Sequence, residues 1–125
     1  MRLLLDTHVF LWAVTASPKL SDDARRKIES AEAVHVSAAS IWEAAIKARI
    51  GKLDVDPADL VGAIDRSGFV ELPVRASHAA AVAALPAHHA DPFDRLLVAQ
   101  AVAEPLRLMT ADAMLARYTE LVVLV

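Results

Sequence analysis

Asp6, Glu43, Asp91, Asp94 and Asp112 are the residues whose types and settings could do chemistry. Asp6 closes the apolar run Leu3-Leu4-Leu5 and precedes Thr7 and His8. A carboxylate there is either a metal ligand or the cap of a following helix. Glu43 lies in Ser40-Ile41-Trp42-Glu43, the spacing of a capping box. In Asp91-Pro92-Phe93-Asp94, Asp91 suits a helix N-cap, Pro92 the first helical position and Asp94 the first turn. Asp112, in Thr110-Ala111-Asp112, is an acidic turn. Each has a structural explanation alone; what they share is placement at the start or end of an element. If they converge, two charges ~4 Å apart repel by about 4 kcal/mol at an effective dielectric near 20, which bound cations or protonation would relieve. The chain has no cysteine, so any metal must be held by oxygen or imidazole. Hard divalent ions such as Mg²⁺ or Mn²⁺ suit a cluster of Asp and Glu. Such a site can activate water, orient a phosphodiester and stabilise the leaving oxygen, so the reaction class implied is phosphodiester hydrolysis.

The elements that must position these acids alternate short apolar runs with longer helical stretches, an α/β pattern. Strands are expected at Leu3 to Asp6, Val34 to Ser37, Phe69 to Leu72, Leu106 to Thr110 and Leu121 to Val125. Ser21 starts a helix that runs through Ala24 to Ser30, acids first and bases after, as the helix dipole prefers. Further helices are expected from about Ser40 to Arg49 with Gly51 as a left-handed cap, from Pro57, from Ser77 to Leu85, and from Pro92 to Glu104, where Pro105 ends it. Strands separated by helices favour a mainly parallel sheet covered on both faces, with ligands beyond the carboxyl ends of the strands. Asp6 and Asp112 fall there.

With 125 residues, 56% of them hydrophobic, one domain spanning 1–125 is the expectation. The N-terminal apolar run reaches Asp6 after three leucines, too short for a signal peptide or a membrane span. A cytoplasmic protein is expected. The net charge of −3 gives no global reason to expect nucleic-acid binding. That binding would require the acids to gather around cations, leaving Arg and Lys at the rim to meet phosphates.

Four blocks spread over almost the whole chain carry a resemblance: LLLDTHVFLW around Asp6, VSAASIWEAAIK around Glu43, HADPFDRLLVAQA around Asp94 and LMTAD ending at Asp112. Their order and spacing resemble the PIN-domain family, in particular its VapC-type toxins. The stretch from Asp54 to Arg75 carries little of the likeness. The resemblance implies a three-layer α/β/α fold with a mainly parallel central sheet. It also implies Mg²⁺- or Mn²⁺-dependent cleavage of RNA by metal-activated water. Carried onto this chain, Asp6, Glu43 and Asp94 match the three principal acids, and Asp112 a fourth that acts through water. The resemblance further implies a homodimer silenced by a small VapB-type antitoxin whose C-terminal segment wraps the toxin.

Around the acids, Thr7 and Thr110 could orient waters or phosphate oxygens, although local turn hydrogen bonds are the commoner use of such hydroxyls. Arg95 could contact phosphate or form a solvated salt bridge. Lys47, four residues after Glu43, could tune that acid or support the helix surface. His88 and His89 lack the four-residue spacing of a helical zinc pair and read as loop or interface residues. Trp12 and Trp42 read as core or dimer-contact aromatics rather than base-stacking platforms. Two other functions compete. A Mg²⁺-dependent phosphatase with Asp6 as nucleophile wants a second carboxylate two positions on, where His8 stands. A noncatalytic interaction domain, its acids serving as caps, predicts no metal and no effect of Asp-to-Asn changes on activity.

Overall fold

The computed structural model describes residues 1–125. Five strands, β1 (Arg2–Leu5), β2 (Ala33–Ser37), β3 (Val70–Leu72), β4 (Arg107–Thr110) and β5 (Val122–Leu124), form one sheet in the order β3-β2-β1-β4-β5. Every neighbouring pair is parallel. The five runs expected as strands are these five, with ends that differ by a single residue.

Six helices connect them: α1 (Thr7–Val14), α2 (Asp22–Ser30), α3 (Ala38–Arg49), α4 (Pro57–Arg66), α5 (Ala76–Ala81) and α6 (Pro92–Ala103). Single 3₁₀ turns lie at Val82–Ala84 and Ala113–Arg117. Because strand side chains alternate between faces, Leu3 and Leu5 point to one side of β1 and Leu4 to the other. Leu3 and Leu5 join Val34, Val36 and Met109 under Val9 and Phe10 of α1, Ala24 of α2, and Leu60 and Ile64 of α4. On the opposite face, Leu4, Leu72 and Leu108 pack against Leu97, Val98 and Ala101 of α6 and against Leu115. The result is the expected α/β/α arrangement. All three β1 leucines are fully buried, and truncating Leu4 to alanine would cost about 2–5 kcal/mol.

From β1 the sheet extends through β2 and β3 to one side and through β4 and β5 to the other. The switch in strand order therefore lies between β1 and β4, where open parallel sheets form a crevice beyond the strand ends.

Three local features differ from expectation. The sequence reading marks no bounds for α1, because Thr7–Val14 is so apolar that it has no polar face to reveal a helical period. Helix α3 begins two residues earlier than expected, with Ser37 as its cap accepting from the Ala39 amide at 3.0 Å. The Ser40–Glu43 capping box is thus not formed. The helix expected from Ser77 to Leu85 leaves α-geometry after Ala81, and Leu85 is extended at ψ 140. Pro86 explains this, since the residue before proline is driven out of the helical region. Gly51, at φ 75, takes the left-handed position expected after α3.

Candidate functional site

Asp6 leaves β1 at the switch point and is held from two sides. Its Oδ1 accepts the Val9 amide at 2.9 Å, capping α1, and its Oδ2 accepts the Thr110 hydroxyl at 2.6 Å from the end of β4. The residue is 5% exposed. Burial raises its pKa against the hydrogen bonds from Thr110 and Val9 and the neighbouring His8, and the Glu43 charge adds to the rise. The expected cap is real, yet it uses one oxygen of a carboxylate placed in desolvated surroundings beside other acids.

Glu43 sits mid-helix on α3, buried, with no capping role. Thr7 donates its hydroxyl to Glu43 Oε1 at 2.7 Å, and Lys47, one turn on, reaches Oε2 at 2.8 Å. Thr7 has one proton and gives it to the carboxylate, so the Ser40 hydroxyl 3.0 Å away is placed to donate to Thr7 in turn.

At the start of α6 the two acids divide their roles. Asp91 Oδ1 accepts the amides of Phe93 at 2.8 Å and Asp94 at 3.0 Å, an N-cap as expected. Asp94 caps nothing. Burial first, then the charges of Asp91, Asp6 and Glu43, push its pKa from 3.8 to about 7, with His89 pulling the other way. These charges place Asp6, Glu43 and Asp94 within electrostatic reach of one another.

Asp112 caps the 3₁₀ turn through Oδ1, which accepts the Met114 amide at 2.9 Å. Its Oδ2 faces His89 Nε2 at 3.0 Å, and the same nitrogen lies 3.1 Å from Asp94 Oδ2. The donor atoms of His89, Asp94 and Asp112 all fall within 4.8 Å of one another. An open cleft of about 570 Å³ borders this group, lined by Asp6, His8, Trp12, Lys19, Asp94 and Asp112.

Several expected roles change. Thr7 and Thr110 are buried, and their hydroxyls donate to Glu43 and Asp6. Arg95 makes no salt bridge. Its guanidinium donates to the carbonyls of Val82, Leu85 and Pro86 and to the Tyr118 hydroxyl, clamping the segment before α6. A five-donor planar fork suits such a cluster of carbonyls. Trp12 packs partly against the core, but Trp42 is 62% exposed and meets Phe93 edge-on at 5.1 Å. His89 lies in the loop before α6, as expected, and there joins the acids. The available signal was its place five residues before Asp94, together with the admission of imidazole as a ligand in a cysteine-free chain.

Chains of solved structure share this architecture. VapBC2 from Rickettsia felis, bound to a promoter DNA fragment, contains a chain that superposes with TM-score 0.69 at 16% identity, covering 100% of this chain and 98% of its own. A chain of a toxin–antitoxin complex from Klebsiella pneumoniae gives TM-score 0.67 at 17% identity, over 97% and 95%. One in FitAcB from Neisseria gonorrhoeae gives 0.62 at 19%, over 90% and 89%. At such identities the likeness is one of fold. No curated protein matches the sequence significantly. The family model of the PIN domain, however, matches residues 3–121, nearly the whole chain, and the protein belongs to the PIN-domain family.

Proposed function

We propose that this chain is a metal-dependent endoribonuclease and the toxin of a toxin–antitoxin pair. The observation that carries this reading is the gathering of Asp6, Glu43 and Asp94, with Asp112 beside them, at the strand switch point of a PIN-family chain. Membership of that family supports nuclease chemistry. The alternative in which the acids are only caps accounts for one oxygen each of Asp6 and Asp112, but not for Glu43 or Asp94, which cap nothing.

The donor set fits a hard divalent ion such as Mg²⁺ or Mn²⁺: carboxylate oxygens in partly desolvated positions, whose mutual repulsion a cation would relieve. Asp6, Glu43, Asp94 and Asp112 would hold it. When bound, such an ion supplies a nucleophile at neutral pH by lowering the pKa of water and offsets charge on the phosphate. The chain's own residues prepare the site. Thr110 and the Val9 amide fix the two oxygens of Asp6, Thr7 and Lys47 fix those of Glu43, and the open cleft lined by His8 and Lys19 is where a phosphodiester strand would enter.

The partner expected is a VapB-type antitoxin, a reading supported by structural relatives found in toxin–antitoxin complexes. A homodimer acting on RNA in the cytoplasm completes the proposal; exposed Trp42 and Ile46, beside half-buried Phe93, offer apolar surface for contact between copies. No helix is long and apolar enough to cross a membrane.

The deciding experiment is cleavage of single-stranded or looped RNA by purified protein with Mg²⁺ or Mn²⁺, with and without chelator, for wild type and Asp6→Asn. Cleavage that stops on chelation and is absent in Asp6→Asn is expected. Undiminished cleavage in excess chelator would overturn the metal-dependent reading. Growth arrest on expression, reversed by the product encoded immediately upstream, tests the toxin role, and a harmless, folded, soluble product would remove it.

A further inference from the structure

We propose that His89 is a ligand in the metal centre, forming with Asp94 and Asp112 a mixed nitrogen and oxygen donor set that favours a first-row transition ion such as Mn²⁺ over Mg²⁺. The inference rests on the acidic pocket taking a divalent cation, and it concerns which cation and through which atoms.

The geometry is that of neighbouring corners of one coordination sphere. His89 Nε2 stands 3.1 Å from Asp94 Oδ2 and 3.0 Å from Asp112 Oδ2. In an octahedral site with bonds of about 2.1 Å, adjacent donors are about 3.0 Å apart, so the three atoms need little rearrangement to share an ion. All three side chains are partly exposed, which leaves room for waters to complete the shell. Asp6 and Glu43 are not part of this tight set.

The placement of His89 is built from behind. Its carbonyl accepts from the Tyr118 hydroxyl at 3.4 Å, and Arg95 holds that hydroxyl at 3.2 Å while clamping the carbonyls of Val82, Leu85 and Pro86. The adjacent His88 turns away to meet the Tyr118 ring at 5.1 Å. Asp112 is oriented by the Met114 amide on its Oδ1, and the Asp94 amide held by Asp91 fixes the start of the helix that carries Asp94. Such outer contacts are what fix ligands for a metal. Ligation requires that Nε2 carry no proton. Imidazole adds more to the binding of transition ions than to that of Mg²⁺, which is held best by oxygen.

The test uses the full chain with Mn²⁺ alone as probe. Pulsed electron paramagnetic resonance of Mn²⁺ bound to wild type should show coupling to an imidazole ¹⁴N, absent in His89→Gln. Calorimetry should show Mn²⁺ affinity falling about 10-fold or more in His89→Gln, with Mg²⁺ affinity changed less than about threefold. Mn²⁺ bound to wild type without ¹⁴N coupling would reduce His89 to a hydrogen-bond partner of the two acids and leave the acidic site intact. Coupling that persists in His89→Gln, or equal losses for both ions, would also overturn the proposal. No Mn²⁺ binding to wild type would remove the metal-dependent reading itself together with this one. The wild-type spectrum decides the ligand question even if the variant folds poorly.

Discussion

Thr110 donates its hydroxyl to Asp6 Oδ2 at 2.6 Å while accepting the Asp112 amide at 3.0 Å, so one side chain couples the acid after β1 to the acidic turn after β4. The contact spans 104 positions of sequence and is fully buried at Thr110. Parallel pairing of β1 with β4 brings the two strand ends together, and the hydroxyl then sets which way the carboxylate faces.

Replacing Thr110 by valine keeps the shape and removes that donor. A buried acceptor left without its partner costs about 1–3 kcal/mol, and Asp6 would lose a contact that holds its pKa down. Thr110→Val should therefore unfold at lower urea concentration and lose most RNA cleavage, while Thr110→Ser restores both. Full activity in the valine variant would show that Asp6 needs no such orientation.

How far the sequence foretold this arrangement differs residue by residue. The strands were legible because parallel strands buried on both faces are written as continuous Leu and Val runs. Asp91 was legible because capping is local chemistry. Glu43 misled, since Ser40 and Glu43 have the spacing of a capping box while Ser37 caps the helix. Nothing local distinguishes two serines three residues apart. The partners of Arg95 were not legible for a different reason: they lie on the segment before α6 and on Tyr118, brought near only by the tertiary fold. The approach of His89 to Asp112 across 23 positions was likewise beyond any spacing rule.

The two acids of the α6 start should separate structure from chemistry. Asp91→Ala should lose about 1 kcal/mol of stability with the cap, whereas Asp91→Asn should keep both the cap and most activity. Asp94→Asn should abolish cleavage with little loss of fold. Thermal unfolding and RNA cleavage of each variant make the comparison. An active Asp94→Asn beside a dead Asp91→Asn would exchange the two assignments.

Arg95 should behave as a structural residue. Arg95→Lys cannot reproduce a fork that reaches three carbonyls and a hydroxyl, so it should lower the unfolding temperature and speed amide exchange between residues 82 and 89. The salt dependence of RNA binding should be unchanged. A salt slope reduced by about 1 would instead mark Arg95 as a phosphate contact.

The pH dependence of stability follows from the raised acids. Burial and the charges of Asp91, Asp6 and Glu43 move Asp94 from 3.8 to about 7, and burial raises Asp6 as well. A group whose pKa is higher in the folded than in the unfolded chain contributes stability that is complete below the unfolded value and is lost as pH rises through the folded one. Without metal, Asp94 should therefore favour the folded state near pH 4 and progressively less as pH rises toward 7. Glu104 acts in the opposite sense, because its hydrogen bond with His78 lowers its pKa and that contribution is lost on acidification. The informative quantity is thus the difference between wild type and Asp94→Asn, in which the shared groups cancel. Urea unfolding in chelator from pH 4 to 7 should show wild type losing ground to Asp94→Asn, and saturating Mn²⁺ should recover much of the loss by binding the ionised acids. A difference that stays flat across this range would mean that Asp94 is already ionised at pH 4, and that the crowding of charge around it is screened rather than stored for a cation.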